Sequence, residues 1–337
     1  MEIAKIVVED YYQKGKIFSS DLNYSFFDGR LSKYIELKKY FTKFNIDLVT
    51  QDQTNYKDCK FSIYLDTYLL PNSSEELNYL IILEPPSVLP SNFIVENHSN
   101  FKKIFTWDDS MVDNSKYFKF NFSFYREPLK LCFSDKKKRF VMIAKNKFSF
   151  HENELYTKRV EIINWFNLKQ PEEFDLYGVG WDQFIFKKYP FTFFNRFPFF
   201  GTQINSILGI KYPFFIKGLN SKFDVLSKYI FCFCYENIGE IDGYITEKII
   251  DCFNSGTIPI YLGARNIKDF IPANTFIDVR EFTSFNEMMI FVDGLDENSI
   301  NNYLDNIFTF MSSNKSLVFD AKYNAKLIAD EILMDLK

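Results

Sequence analysis

The stretch that decides the fold runs from residue 229 to residue 250 and reads YIFCFCYENIGEIDGYITEKII. Its first seven residues are almost wholly apolar, which predicts a buried strand over Tyr229–Tyr235. A loop with two glycines follows, and Thr246 begins a predicted helix that extends to Ser255. Glycines let backbone N–H groups approach a ligand, and a helix N-terminus carries partial positive charge. The segment therefore has the features of a site for the phosphates of a nucleotide.

Two charged side chains in the first turn of this helix strengthen the interpretation. Lys248 adds a full positive charge for a diphosphate, and Glu247 offers two acceptors of the kind that hold a ribose diol. On spacing alone, a capped surface helix with an ordinary Glu–Lys pair explains the same residues.

Strand-like and helix-like runs alternate along most of the chain, which is typical of α/β layers. Strand Ile3–Val8, helix Lys33–Phe44 and strand Ile46–Val49 form a predicted βαβ unit, and the alternation resumes after the basic run Asp135–Arg139, which we interpret as a solvated linker. We expect one domain over residues 1–135 and a second over 136–315, with a C-terminal helix in 316–337 that packs back on the first. Ligands are then expected between the domains, at the carboxyl ends of the strands.

Composition excludes several classes of protein. A chain of 337 residues is longer than a single hydrophobic core ordinarily accommodates, which predicts two domains. A net charge of −4 argues against binding nucleic acid. No apolar run reaches the ~18–20 residues of a membrane-spanning helix, and early charges exclude a signal peptide. Five scattered cysteines favour a reducing compartment, the cytoplasm. The presence of only two histidines argues against a histidine-rich metal site. A carboxylate is the more plausible general base.

Several ordered motifs carry a resemblance to a known family. They are YEN at 235–237, GYITEKI at 243–249, IPIYLG at 258–263, FIP at 270–272, FDLYGVG at 174–180 and LEPPS at 83–87. Together they resemble the donor-binding signature of the α-1,3-fucosyltransferases, glycosyltransferase family 10, over residues 83–282. The resemblance implies a GT-B fold, in which two Rossmann-like domains face each other across a cleft and the second domain holds most of GDP-fucose.

The resemblance also implies the chemistry. The reaction is an inverting transfer of L-fucose from GDP-β-L-fucose to a hydroxyl of an acceptor glycan, which we expect to be O3 of N-acetylglucosamine or glucose. Glu84, after an apolar strand and before two prolines, aligns with the family's general base, and Asp108 and Asp109 are the rival carboxylates. The chain contains no Asp-x-Asp triplet, and we expect no cofactor and no essential metal.

The remaining donor contacts follow from the same alignment. The diphosphate is expected to contact Arg159 and Lys248. Arg159 is preferred over Lys158, because a guanidinium can bind two phosphate oxygens at once. Glu247 is expected at the ribose, and Tyr244 and Asn237 at the phosphates or the sugar.

Some alternatives stay open at this stage. The donor could be another GDP-activated sugar, or the protein could bind a nucleotide or glycan without catalysis. The aromatic run Tyr189–Phe200 is interpreted as buried packing of a long loop, with stacking on an acceptor sugar or contact with lipid as alternatives. Contact with the inner face of the membrane is left open, and the sequence predicts no oligomeric state.

Overall fold

The computed structural model describes residues 1–19, 29, 31–54, 59–73, 76–219 and 221–337. In these residues the strands form two six-stranded sheets, and every strand pair within them is parallel. The α/β class predicted from the alternating pattern is thereby confirmed.

The first sheet has the strand order β2-β1-β3-β4-β5-β6. Its strands are β1 Glu2–Val7, β2 Ile46–Thr50, β3 Cys59–Leu65, β4 Asn78–Ile81, β5 Lys103–Thr106 and β6 Tyr117–Lys119, and helix α1, Ser32–Thr42, connects the first two. The chain places β2 on one side of β1 and then β3 on the other, so the direction of winding reverses between β1 and β3.

The second sheet has the order β12-β11-β10-β7-β8-β9, the arrangement of a dinucleotide-binding fold. Its strands are β7 Lys138–Ile143, β8 Phe174–Gly178, β9 Phe215–Lys217, β10 Tyr229–Tyr235, β11 Ile258–Leu262 and β12 Ile277–Asp278. The helices that follow α1 are α2 Tyr156–Lys169, α3 Pro198–Leu208, α4 Lys222–Leu226, α5 Glu247–Asn254, α6 Ile267–Phe270, α7 Phe285–Asp293, α8 Glu297–Ser312 and α9 Ala321–Met334.

The last helix, α9, packs on the first sheet. Ala325, Ile328, Ala329 and Ile332 are buried in the same apolar cluster as the side chains of β1 and α1. Polar contacts fix the end of the helix, since Lys103 Nζ donates to the carbonyl of Glu331 at 2.6 Å. The division into domains at 135/136 and 315/316 stays our proposal.

Two expectations about loops are wrong. The basic run does not remain a linker to its end, because Lys138 and Arg139 already form the start of β7. The aromatic run is not buried packing, because Tyr189 is 85% exposed and Phe199 is 68% exposed. Part of that run forms α3, a helix that the sequence did not predict.

Candidate active site

A cavity lies between the two sheets. In each sheet it is next to the point where the strand order reverses, between β1 and β3 in the first sheet and between β7 and β10 in the second. In parallel sheets, ligands bind beyond the carboxyl ends of the strands where the strand order reverses. On the first sheet, residues just after β1, β3 and β4 line the cavity: Val8, Glu9, Asp66, Leu83 and Glu84. On the second sheet, the loop and helix start after β10 supply Asn237, Tyr244, Thr246, Glu247 and Lys248.

The structure thus brings together five of the six predicted site residues. Glu84 lies on the first domain and Asn237, Tyr244, Glu247 and Lys248 lie on the second. Tyr244 is buried, whereas the other four are half-buried and line a space open to solvent. The cavity therefore has a carboxylate on the wall from the first domain and a cation on the wall from the second.

A buried carboxylate that the sequence reasoning missed organises the loop after β10. Glu236 is fully buried and accepts hydrogen bonds from the amide N of Thr246 at 2.8 Å and its Oγ1 at 2.7 Å. The ammonium of Lys248 donates to the same carboxylate at 2.8 Å. Because the Thr246 hydroxyl points to Glu236, it does not cap the first turn of α5, whose N-terminus remains suited to an anion.

Tyr244 connects this loop to the first domain. Its ring lies 4.6 Å from that of Trp107, centroid to centroid, and 6.0 Å from that of Phe122. Trp107 Nε1 in turn donates to the carbonyl of Leu83 at 3.1 Å, next to Glu84. Burial raises the pKa of the Tyr244 phenol, so it remains protonated. The donor loop and the strand end that carries Glu84 are therefore held in one packed unit.

Gly243 packs tightly against the backbone of Trp107 on the first domain, and we expect its replacement by Ala to destabilise the protein strongly. Its φ is +82°, and a Cβ there would lie 2.2 Å from the carbonyl oxygen of Trp107. Gly209 provides the matched control, because its φ is +65° but a Cβ would meet nothing within 4 Å. Thermal unfolding should show a loss of about 1 kcal/mol for Gly209→Ala. We expect at least about 3 kcal/mol for Gly243→Ala, and equal losses would contradict the close contact.

A second buried carboxylate, Asp66, holds the backbone of Glu84. Asp66 Oδ1 accepts from the amide N of Leu83 at 2.7 Å and of Glu84 at 3.0 Å. Asn92 Nδ2 donates to the same oxygen at 2.7 Å and to the carbonyl of Glu84 at 2.9 Å. Both polar groups of the Glu84 peptide backbone are thus fixed, which directs its side chain into the cavity.

Asp66 should impose a pH dependence on stability. Burial raises the pKa of its carboxyl from 3.8 to about 7. Between pH 4 and 7 the unfolded chain releases this proton and the folded chain retains it, so stability falls as pH rises and levels off above pH 7. This fall in the free energy of unfolding is at most about 4 kcal/mol. It should be absent in Asp66→Asn, which urea unfolding at several pH values would measure.

Asp113 offers the control for that measurement. Backbone hydrogen bonds lower the pKa of its carboxyl to about 2. Its effect on stability is therefore confined to pH values below about 5, and Asp113→Asn should leave the slope between about pH 5 and 7 unchanged. A wild-type slope that survives in Asp66→Asn would show that another group causes it.

Arg159 is the predicted residue that the structure places apart from the cavity. Its guanidinium is buried and donates to the carbonyls of Tyr235 at 2.8 Å and Glu236 at 2.7 Å, and to Asn237 Oδ1 at 3.1 Å. It is not among the described residues that line the cavity between the domains. Lys158, its rival, is exposed and pairs with Glu161 at 2.9 Å.

Lys147 is a further cation near the site that the sequence reasoning missed, although it too is absent from the described residues that line the cavity. It follows β7, the strand next to β10, and so lies at the winding reversal of the second sheet. Partial desolvation lowers the pKa of its ammonium, and the charges of Lys145, Arg159 and Lys248 lower it further, whereas Glu84 raises it. Its position beyond the first strand of this domain was the available signal.

The rival carboxylates are engaged elsewhere. Asp108 is buried, and its Oδ1 accepts from the amide N and the hydroxyl of Ser110 at 2.9 and 2.6 Å. Asp109 accepts from Lys119 Nζ at 2.5 Å and from Asn266 Nδ2 at 2.8 Å. Neither is among the described residues that line the cavity.

Comparison with known proteins finds a family model that matches part of the second domain. Residues 216–314 match the model of glycosyltransferase family 10 (fucosyltransferase), C-terminal part. An alpha-(1,3)-fucosyltransferase FucT of Helicobacter pylori is 40% identical over 92 residues, 27% of this chain and 19% of that relative. An alpha-(1,4)-fucosyltransferase of Arabidopsis thaliana is 36% identical over 75 residues, 22% of this chain and 18% of the relative. The chain thus spans about a fifth of the length of these curated relatives.

Solved structures share the architecture over nearly the whole chain. A crystal structure of an alpha1,3-fucosyltransferase with GDP superposes with a TM-score of 0.57 at 18% identity, covering 98% of this chain and 90% of the other. An alpha-glucosyltransferase in complex with UDP-glucose and DNA containing an abasic site gives 0.56 at 11% identity, covering 98% and 99%. The predicted GT-B fold, with two Rossmann-like domains, is confirmed.

Proposed function

We propose that this chain, whose residues 216–314 match the model of glycosyltransferase family 10, is an inverting glycosyltransferase that moves L-fucose from GDP-β-L-fucose to an acceptor glycan. The observation that carries the proposal is the cavity between the domains, which is lined by Glu84 from the first domain and by Glu247 and Lys248 from the second. A base on one wall and a cation on the other are the two groups that such a transfer needs. The acceptor position, O3 of N-acetylglucosamine or glucose, is part of the proposal.

Each bond change has a group assigned to it. The acceptor hydroxyl oxygen bonds to the anomeric carbon of fucose from the face opposite GDP, and the bond from that carbon to the β-phosphate oxygen breaks. Glu84 takes the proton of the acceptor hydroxyl. Lys248, Lys147 and the N-terminus of α5 stabilise the charge that builds up on departing GDP.

The other residues hold the donor. Glu247 is proposed to accept from the ribose hydroxyls, and Asn237 to contact the phosphates or the sugar. Tyr244 supports that loop by packing on Trp107. Arg159 is proposed to act on the donor through the Tyr235–Asn237 backbone that it holds, which refines its predicted role at the diphosphate.

A transfer assay tests the function. The protein is incubated with GDP-fucose and a panel of N-acetyllactosamine-type and glucose-terminated acceptors, and mass spectrometry follows the addition of one deoxyhexose. We expect product with GDP-fucose and little with GDP-mannose. GDP binding without product across the panel would support a non-catalytic binding protein, and transfer from GDP-mannose alone would support another GDP-sugar.

We also propose that transfer needs no metal, because lysine side chains and a helix N-terminus supply the positive charge at the diphosphate. Over the described residues, no group of three or more His, Cys, Asp or Glu side chains is placed to hold a metal ion. Transfer should persist in excess EDTA. Loss of transfer in EDTA and its recovery with Mn²⁺ would contradict this proposal.

The proposed location is the cytoplasm. All five cysteines are free thiols, including buried Cys232, Cys234 and Cys252, which is consistent with a reducing compartment. In the part of the chain that the structure describes, every helix is too short or too polar to span a bilayer.

A further inference from the structure

An exposed apolar surface lies on residues 187–211, here called the aromatic segment. Nine of its large apolar side chains are more than one-third exposed: Tyr189, Phe191, Phe193, Phe197, Phe199, Phe200, Ile207, Leu208 and Ile210. Soluble proteins rarely leave so many large apolar groups in one contiguous stretch, and such patches mark sites of interaction. The transfer reaction proposed above does not use them.

The aromatic segment is held on the second domain by its inner side. Asn195 exchanges two hydrogen bonds of 2.8 Å with the backbone of Phe186, and the amide N of Phe184 donates to the carbonyl of Gly201 at 3.0 Å. Gly201 is buried, and a Cβ there would lie 2.8 Å from the carbonyl oxygen of Phe184. The apolar rings are therefore presented to solvent by a fixed support.

Helix α3 shows its apolar face outward. Phe200, Ile204, Ile207 and Leu208 lie on one side of the helix at i, i+4, i+7 and i+8. A helix of a globular protein normally buries such a face, yet Ile207 is 82% exposed and Leu208 is 55% exposed. An outward apolar face is typical of helices that lie in the interface of a membrane.

The charge around the aromatic segment selects an anionic partner. Residues 183–223 contain six Lys and Arg and no Asp or Glu, in a chain whose net charge is −4. Lys217 and Lys222 form ion pairs with Asp182 and Asp251. Within the described ranges, the other four, Lys187, Lys188, Arg196 and Lys211, have no acidic partner.

We propose that the aromatic segment docks the protein on a lipid bilayer with anionic headgroups. The rings and the Ile207 face enter the interface, and the four basic side chains contact the headgroups. The segment begins after β8, and Asn146, just after β7, donates to the carbonyls of Gly180 and Gln183 at 2.9 and 3.2 Å. The start of the aromatic segment therefore lies at the carboxyl ends of the strands of the second sheet. The donor loop lies at the same ends, so the docked bilayer is near the cleft.

Vesicle flotation with the full chain tests the proposal independently of any transferase activity. We expect the protein to float with vesicles of phosphatidylcholine that contain about one-third phosphatidylglycerol, and to bind pure phosphatidylcholine much more weakly. The double variant K187A/K188A should bind the anionic vesicles about 30-fold more weakly. F199Q/I207Q should lose at least about tenfold on both kinds of vesicle.

Matched controls carry the same kind of substitution on other faces of the protein. Leu168 and Ile290 are 79% and 73% exposed, and Lys137 and Lys169 are exposed lysines outside the aromatic segment. L168Q/I290Q and K137A/K169A should bind as the wild type does. Equal binding by wild type and F199Q/I207Q would overturn the proposal. So would a dimer in sedimentation equilibrium that F199Q/I207Q dissociates, since a second copy would then cover the surface.

Discussion

Replacing Glu84 by Gln is expected to lower the turnover number for fucosyl transfer by about 10³-fold, while the Kd for GDP changes by less than about twofold. Gln has the shape of Glu but cannot take the proton of the acceptor hydroxyl. Its backbone should stay in place, because Asp66 and Asn92 bond the amide N and the carbonyl of residue 84. Turnover is measured with saturating GDP-fucose, and GDP binding by calorimetry.

The rival carboxylates supply the control for this experiment. Asp109→Asn should retain most of the turnover, since Asp109 pairs with Lys119 and Asn266 away from the cavity. It should instead lower the unfolding temperature, because Lys119 loses its partner. Wild-type turnover in Glu84→Gln together with a collapse in Asp109→Asn would reverse the assignment of the base.

Sequence patterns predicted the strands of the second sheet closely where both ends carry a signal. The strand Tyr229–Tyr235 has the predicted bounds, and Ile258–Leu262 is bounded in the same way, because in each an apolar run lies between polar or glycine residues. Strand β6 ends at Lys119, although the alternation of Phe with polar residues continues in the sequence to Phe124. Beyond it the backbone turns toward α9, where Asn324 Oδ1 accepts from the amide N of Asn121 at 3.3 Å. That partner lies some two hundred residues away in sequence, so no local pattern indicates it.

The residues of the candidate site show the same contrast between local sequence signals and contacts with distant residues. Motif spacing predicted that Glu247 and Lys248 act together, and the family resemblance added Asn237. All three follow one strand within one loop and helix start, and they line the same cavity. Whether Arg159 faces a ligand or a backbone carbonyl depends on how α2 packs on β10, which the residue type does not reveal. Asp66 and Glu236 were missed because a single carboxylate at a strand end has no distinctive pattern until its buried partners are known.

Replacing Lys248 by Met is expected to lower kcat/KM for GDP-fucose by about 10²–10³-fold and to weaken GDP binding. Met retains the length of the side chain and removes only the charge that stabilises the leaving diphosphate. The substitution has a second effect, because Glu236 is fully buried and loses its ammonium partner. Breaking such a pair from one side costs about 3 kcal/mol or more, so a loss of activity alone would be ambiguous.

The double variant E236Q/K248M separates the two effects. Gln at 236 is neutral, can accept from the amide N of Thr246 and can donate to its hydroxyl, so the hydrogen bonds of the loop are retained. The unfolding temperature should recover most of what K248M loses, because no unpaired buried charge remains. Transfer should stay at the low level of K248M, since the cation at the diphosphate is still missing. If activity returns with stability, Lys248 serves only to neutralise Glu236, and the charge on the departing GDP is stabilised by other groups.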